Sequence, residues 1–488
     1  MLDLQQLAAI TGEEKLIQEP NILNQYSQDF SFVNPIRPRA VIKPRTAKQV
    51  YQIVKIARET GTPLIPVSSG YPHFRGDTVP AIGGAIIVDL SEMKKIIHID
   101  RKNRVAMFEP GVTFGELIEE VKKYGLRLNM PLLPRQSKSV VGSLLEREPV
   151  IMPKYHWDIA DPLACVEIVF GSGELFRTGA AAGSGTIEEQ WAAGGAQKEA
   201  AGPSAASWYR LIQGSQGTMG IVTWASARCE ILPALEEPFW IASSQLEKLL
   251  EMTHWLIRLR LVNECFILNN TSLKTILYGA EETASTANLH ALPPWILFIN
   301  IAGYEFYPEE RVSGQIQDMQ EIAQRIGLEP LKDLNGIKAD KFLRTVQQPS
   351  ANPYWKLRYK GGFQDIFFLT IFDNLAAQME TMHRTIYSAG YTVSDLGIYL
   401  QPVVQGVNCH CEFTLFYNPD IEEERERIKI LSGKAVRNLL DQKAFFSRPY
   451  GENARLILNR DAATVNALKK VKNIVDPDCI MNPGKLCF

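Results

Sequence analysis

The stretch Pro63-Leu64-Ile65-Pro66-Val67-Ser68-Ser69-Gly70-Tyr71-Pro72-His73-Phe74-Arg75-Gly76-Asp77 decides how the chain is read. Its first part is a short apolar run and its second a polar turn, in which Ser68, Ser69 and Gly70 offer backbone N–H and hydroxyl donors to an anion. Upstream lies an amphipathic helix. Thr46 caps its start, Gln49 is placed to reach back as a capping box, and Val50, Ile53, Val54 and Ala57 recur at the spacing of one buried face. Gly61 ends it. Downstream, residues 84–90 are too apolar for a surface strand and read as a buried one. The turn therefore joins core elements, either as a cradle for a diphosphate or as an ordinary strand-to-loop turn.

Further segments follow in a fixed order. Residues 97–100 and 105–109 are strand-like runs joined by Arg101-Lys102-Asn103, and Thr113-Phe114-Gly115-Glu116 opens a second capped helix that ends near Gly125. Then come Val166-Glu167-Ile168-Val169-Phe170-Gly171-Ser172-Gly173, Gln213-Gly214-Ser215-Gln216-Gly217-Thr218-Met219-Gly220-Ile221-Val222-Thr223, and Asp476-Pro477-Asp478-Cys479-Ile480-Met481-Asn482-Pro483-Gly484 near the end. This series resembles the vanillyl-alcohol oxidase and p-cresol methylhydroxylase superfamily of FAD-linked oxidoreductases, which also contains the glycolate oxidase and D-lactate dehydrogenase flavin subunits. The resemblance is strongest over residues 38–233 and 440–488. It implies an α+β, two-lobed fold: an FAD-binding domain over 1–233, an α+β cap over 234–439, and a segment 440–488 that returns to the FAD-binding domain.

Composition agrees with that reading. A chain of 488 residues is long enough for two lobes with sizeable cores, and 45% hydrophobic with 22% charged residues is ordinary for a soluble globular protein. The net charge of −2 gives no general attraction to nucleic acid or an anionic membrane. No apolar run is long enough to span a bilayer, and the amino terminus carries no basic leader with a long apolar core, so a cytoplasmic location is expected. The seven cysteines are scattered without a CxxC grouping, which leaves an iron–sulfur cluster or zinc ribbon without support. Cys409, His410, Cys411 and Glu412 are close in sequence, but a strand sends alternate residues to opposite faces, so no metal is expected there. No G-x-G-x-x-G, Walker A or G-x-S-x-G motif is present, so hydride chemistry must come from a bound cofactor.

Inside the cap, residues 293–301 read as a strand, 309–326 as a helix, and 397–400 and 411–416 as further strands. A last helix begins at Asp461, buries Val465, Leu468, Val471 and Val475 along one side and stops at Asp476-Pro477. Residues 179–207, rich in Ala, Gly and Ser, read as a mobile surface loop.

The resemblance also implies a site. Pro66, Val67, Ser68, Ser69, Gly70, Tyr71 and Pro72, with Gly142, Ser143, Asp161, Gly217, Gly220, Ile221, Val222 and Arg448, are the residues expected at the FAD. Tyr71 matches a tyrosine that helps hold a phenolate. Asp158 aligns with an acidic residue close to flavin N5, with Asp161 competing for that role. Arg448, in Phe445-Phe446-Ser447-Arg448-Pro449-Tyr450, matches an arginine facing the flavin N1–C2=O edge, where a fixed guanidinium favours the reduced anion. Each has a plain alternative: a packing aromatic, a loop aspartate, a surface arginine.

The chain also departs from the pattern. Ser447 replaces a second phenolate-binding tyrosine. Gln364 or Asp365 stands where the oxidase carries its flavin-linking histidine, so the FAD is expected to be held without a covalent bond, although His73 could attach it. In the hydroxyacid branch the motif H-x-G-D-G-N-x-H corresponds to residues 403–410, of which Asn408 and His410 persist. His410 is thus a cap-side substrate contact or proton acceptor, or simply a sheet histidine. The expected activity is hydride removal from an aromatic alcohol or substituted phenol. A 2-hydroxyacid dehydrogenase is the alternative, and a flavin electron-transfer subunit of a larger redox complex another. A small-molecule substrate, a cytochrome, iron–sulfur or flavoprotein partner, and a homo- or hetero-oligomer are the associations this implies.

Overall fold

The computed structural model describes residues 3–153, 161–202, 207–277 and 292–488. Among the described residues three large sheets carry the chain, beside a two-stranded ribbon of Asp333–Leu334 and Ile337–Lys338. In the first, strands Ala40–Ile42, Ile86–Asp89 and Leu64–Val67 run parallel, with Leu16–Ile17 antiparallel at the far edge. Helix Ala47–Thr60 covers it. Thr46 accepts from the Gln49 N–H at 3.2 Å, and Gly61 closes the helix in the left-handed region at φ 63°. The reciprocal half of the expected capping box is absent, because Gln49 Oε1 accepts from Arg45 N at 2.7 Å and its amide reaches Ile10 O. Val50, Ile53, Val54 and Ala57 are fully buried, and the three larger side chains stabilise the layer by about 1.5–3 kcal/mol each.

The second sheet orders its strands Ile96–Asp100, Val105–Phe108, Gly220–Ile231, Leu163–Phe170 and Leu175–Arg177, with Leu126–Leu128 paired to the outer half of Gly220–Ile231. Helix Phe114–Lys123 packs on it behind a complete Thr113/Glu116 capping box. The expected surface loop after Gly179 is mostly exposed in its described part, but it is ordered around a short helix and a few buried anchors. Ile187–Ala192 form a helix with a Thr186/Glu189 capping box, Trp191 stacks on His98 at 4.7 Å, and Ala181 and Gln197 are buried.

The third sheet is antiparallel and seven-stranded. Its order is Pro330–Leu331, Leu235–Ser243, Trp295–Gly303, Cys265–Asn269, Leu396–Val403, Asn408–Tyr417 and, at the edge, Gly362–Thr370. Helices Leu246–Arg258, Pro308–Ile326, Phe372–Ser388 and Glu422–Asp441 cover one face through a core that includes Ile366, Phe368 and Phe413. The other face has an aromatic end built on Trp240, Phe266, Phe298 and Phe342 and a polar end described below.

The last residues come back to the first sheet. After helix Ala462–Val475, capped by Asp461, the Leu64 N–H donates to Ile480 O and the Asn482 N–H to Leu64 O, both at 2.8 Å. Asn482 Nδ2 then donates to Asp77 O and Gln216 O, and Lys485 Nζ to Gly76 O. Buried Asp476 organises this turn: it pairs with Lys472 and accepts from the N–H groups of Ile480 and Met481.

Candidate active site

A cavity of about 290 Å³ lies between the first two sheets and the polar end of the third. Its lower wall is mostly backbone and small residues. Ser68 and Ser69 line it at the end of strand Leu64–Val67, Gly142 at the start of helix Val140–Glu146, Gly217 in the turn before strand Gly220–Ile231 and Gly220 at that strand's first position. These segments converge because side chains are missing. A Cβ on Gly217, at φ 71°, would lie 2.5 Å from Pro66 Cγ, and one on Gly142 would lie 3.1 Å from Ser68 Oγ. Converging serine hydroxyls and glycine backbone on a cavity wall fit an FAD diphosphate.

The loop is braced from residues 135–139. Ser139 N donates to Ser69 Oγ at 3.0 Å, and the Arg135 guanidinium donates to Gly70 O at 2.8 Å and to Pro72 O. Gly70 N–H donates to Ser137 O at 2.9 Å, so the expected Gly70 donor is turned away from the cavity. Of the other expected cofactor contacts, Pro66, Val222 and Arg448 line the cavity. Val67 and Ile221 are core residues behind it. Ser143 is buried and donates to Glu148 at 2.6 Å. Asp161 is buried beside a separate small pocket, bonded to Gln213 Nε2 at 3.3 Å, and burial pushes its carboxyl up. Tyr71 stands outside the cavity: it is 55% exposed and packs 6.1 Å from Phe30. Asp158 lies outside the described residues.

A charged ring that the sequence did not single out surrounds the next level. Arg75 bonds Glu146 and, at 3.0 Å, Glu148, and Lys138 reaches Glu146 at 2.6 Å. Burial opposes charge on Glu148, but Lys138, Arg75 and the Ser143 hydroxyl overcome it and hold the carboxyl down at about 2. Burial and then Glu146 push the Asp77 carboxyl up to about 6. His73, buried beside Arg135 and Lys138, is held neutral down to about 3.

Arg448 is at the centre, 4% exposed, with its guanidinium 4.4 Å from the Phe367 ring centroid and Nη1 donating to Glu146 O at 3.4 Å. Burial first, then Arg75, lowers its affinity for the proton to about 10. A buried guanidinium under this strain is stabilised by any anion brought beside it.

The cap wall is made of side chains. Strand Gly362–Thr370 contributes Phe363, Asp365 and Phe367, and Tyr354 and Tyr450 stand nearby. Lys356 Nζ, 4% exposed as a residue, donates to Asp365 Oδ2 at 2.7 Å and to Glu412 Oε1 at 2.6 Å, and Thr414 Oγ1 donates to Asp365 Oδ1 at 2.8 Å. His410 lies on the same face as Glu412, with Cys409 and Cys411 on the opposite one, as strand alternation requires. Its Nε2 is 3.6 Å from Glu412, neither ring nitrogen makes a hydrogen bond, and burial holds it neutral down to about 4. His410 does not line the cavity but sits behind Phe367, ring centroids 6.0 Å apart. Among the described residues no group of three His, Cys, Asp or Glu side chains is placed to hold a metal ion.

Known proteins share this architecture. The FAD binding domain family matches residues 38–179. The mitochondrial D-lactate dehydrogenase [cytochrome] of Arabidopsis thaliana is 22% identical over 98% of this chain and 80% of that protein. The 4-cresol dehydrogenase [hydroxylating] flavoprotein subunit of Pseudomonas putida is 29% identical over 36% of this chain and 34% of that protein. A crystal structure of p-cresol methylhydroxylase with substrate bound superposes with a TM-score of 0.84 at 19% identity, covering 99% of this chain and 95% of the other. Residues 38–179 are accordingly an FAD binding domain, the chain is an FAD-dependent oxidoreductase, and its fold is the one seen in p-cresol methylhydroxylase.

Proposed function

We propose that the enzyme removes a hydride from an aromatic alcohol or substituted phenol. The observation that supports this most is buried Arg448, set against Phe367 among the cavity aromatics Phe74, Phe363, Tyr354 and Tyr450. Such walls suit a flat ring, and the guanidinium suits the negative charge that develops on a phenolate or at the cofactor edge. Bound FAD supplies the hydride acceptor. Ser68, Ser69 and the Gly142 and Gly217 backbone would hold its diphosphate, and Arg448 would hold charge beside the reacting centre. Asp158 is the proposed proton-handling group; His410, set behind Phe367 and off the cavity, is left without that role. Tyr71 has no part in this version of the site, because its ring faces solvent.

The FAD is proposed to be non-covalent. Gln364 has no nucleophilic atom, and both Asp365 oxygens are engaged by Lys356 and Thr414. Domain boundaries at 233 and 439 are part of the reading, supported by the pairing of Ile480 and Asn482 with Leu64. So are a cytoplasmic location, although three relatives are named as mitochondrial, and a redox partner, suggested by the name flavoprotein subunit. Among the described residues no helix is long and apolar enough to cross a membrane.

A 2-hydroxyacid is the second reading, favoured by the D-lactate dehydrogenase match along nearly the whole chain. Anaerobic mixing of the FAD-loaded protein with 4-hydroxybenzyl alcohol and with D-lactate separates the two. Bleaching of the flavin band by the aromatic alcohol is expected; bleaching by D-lactate alone transfers the activity to the second reading. Turnover of the isolated chain with a soluble dye would make a partner subunit unnecessary for the chemistry.

A further inference from the structure

The cavity does not end at the cap wall. On strand Gly362–Thr370, Phe363, Asp365 and Phe367 project from one face and Gln364 and Ile366 from the other, yet all five line the same cavity. A cavity can reach both faces only around a sheet edge, and this strand is the last of the seven. Past the edge an arm continues between helix Glu422–Asp441, the segment 31–33 and helix Gly451–Leu458. Phe32, Val33, Val436, Phe446 and Ile457 make its walls apolar. Lys429, with 39% of its side chain exposed, and exposed Glu452 mark where it meets water.

Lys429, Ser432, Gly433 and Val436 all line the arm, at the i, i+3, i+4, i+7 spacing of one helical face. Gly433 is the anomaly among them. It lies inside a 20-residue helix, where glycine is a poor helix former. Its backbone is not left-handed, and a Cβ there would meet nothing within 4 Å. Gly314 also has open space around it, but it faces solvent in its helix, whereas Gly433 faces the cavity. Neither backbone nor packing asks for glycine at 433. What the missing side chain leaves is room in the arm.

We propose that this arm is a substrate subsite that takes an aliphatic substituent, with the reacting group under Arg448 and the far end of the chain leaving between Lys429 and Glu452. The proposal rests on the cavity being the oxidation site. It makes Gly433 a specificity-determining position for chain length.

The test titrates the FAD-loaded protein with 4-methyl-, 4-butyl- and 4-octylphenol, and in parallel with lactate, 2-hydroxyhexanoate and 2-hydroxydecanoate, reading ligand-induced changes in flavin absorption. In the unsubstituted enzyme affinity should rise with chain length in one series. Gly433→Leu should weaken the longest member at least about tenfold, leave the shortest within about twofold, and leave the melting temperature unchanged or higher. If only the hydroxyacid series shows this pattern, the arm stands and the phenol reading falls. If chain length has no effect in either series, or Gly433→Leu weakens short and long members alike, the arm is overturned. Gly433→Ala serves as the mild control: it should fold at least as well and give a smaller loss.

Discussion

The two walls of the cavity are built on opposite principles. The lower wall positions backbone and hydroxyl groups by leaving side chains out, through Gly142 and Gly217, and braces the result with Arg135 and Ser139. The cap wall positions charges and rings by packing side chains in, through Phe363, Phe367 and the Lys356, Asp365 and Glu412 cluster. A wall of backbone recognises what all ligands of a family share. A wall of side chains can be changed residue by residue, and it is where this chain differs from its resemblance.

The largest way to break the contrast is on the cap side. Lys356→Met leaves two buried carboxylates without their shared cation and should lower stability by about 3–5 kcal/mol in urea unfolding. Adding Glu412→Gln should recover part of that loss; no recovery would mean the cluster is not held by charge. On the lower wall, Gly217→Val meets Pro66 and a left-handed backbone and should cost about 2–4 kcal/mol, read as a loss of FAD affinity of two orders of magnitude or so with the cap still folded. Retained FAD affinity would show that the turn does not shape the cradle.

A third prediction sharpens the comparison through pH. The unfolded chain protonates His410 near 6.5, the folded protein only near about 4, so its contribution is complete above pH 6.5 and drains away as pH falls toward 4. Asp77, pushed up to about 6, drifts in the opposite sense over much of that range, so the effect is read as a difference between the wild type and His410→Gln. About 3 kcal/mol of that difference should disappear between pH 7 and 4. A difference that stays flat would place a hydrogen-bond partner on the ring.

The smallest effect is electronic. Arg448→Ala should make the bound flavin harder to reduce by about 30–60 mV, and Arg448→Lys by less, in an equilibrium dye titration. An unchanged potential would remove Arg448 from the cofactor edge.

The sequence made much of this legible where local rules govern. Periodicity located the helix after Thr46 and the cap elements now seen at Trp295–Gly303, Pro308–Ile326, Leu396–Val403 and Asn408–Tyr417. Arg448, expected at the flavin edge from the resemblance alone, lines the cavity. Local rules failed where tertiary contacts decide. Nothing local tells that Gly70 gives its N–H to Ser137, that Tyr71 turns outward, or that Glu146 and Glu148 close a ring with Arg75 from another segment.

The return of the chain end to the first sheet carries a consequence for assembly. Asn482 ties Asp77 to Gln216, and Lys485 holds Gly76, so the loop that follows Ser68 is fastened by residues made some four hundred positions later. During synthesis the cradle therefore stays unlatched while the cap is being made, and the cofactor meets its finished seat only when Asn482 and Lys485 have emerged from the ribosome.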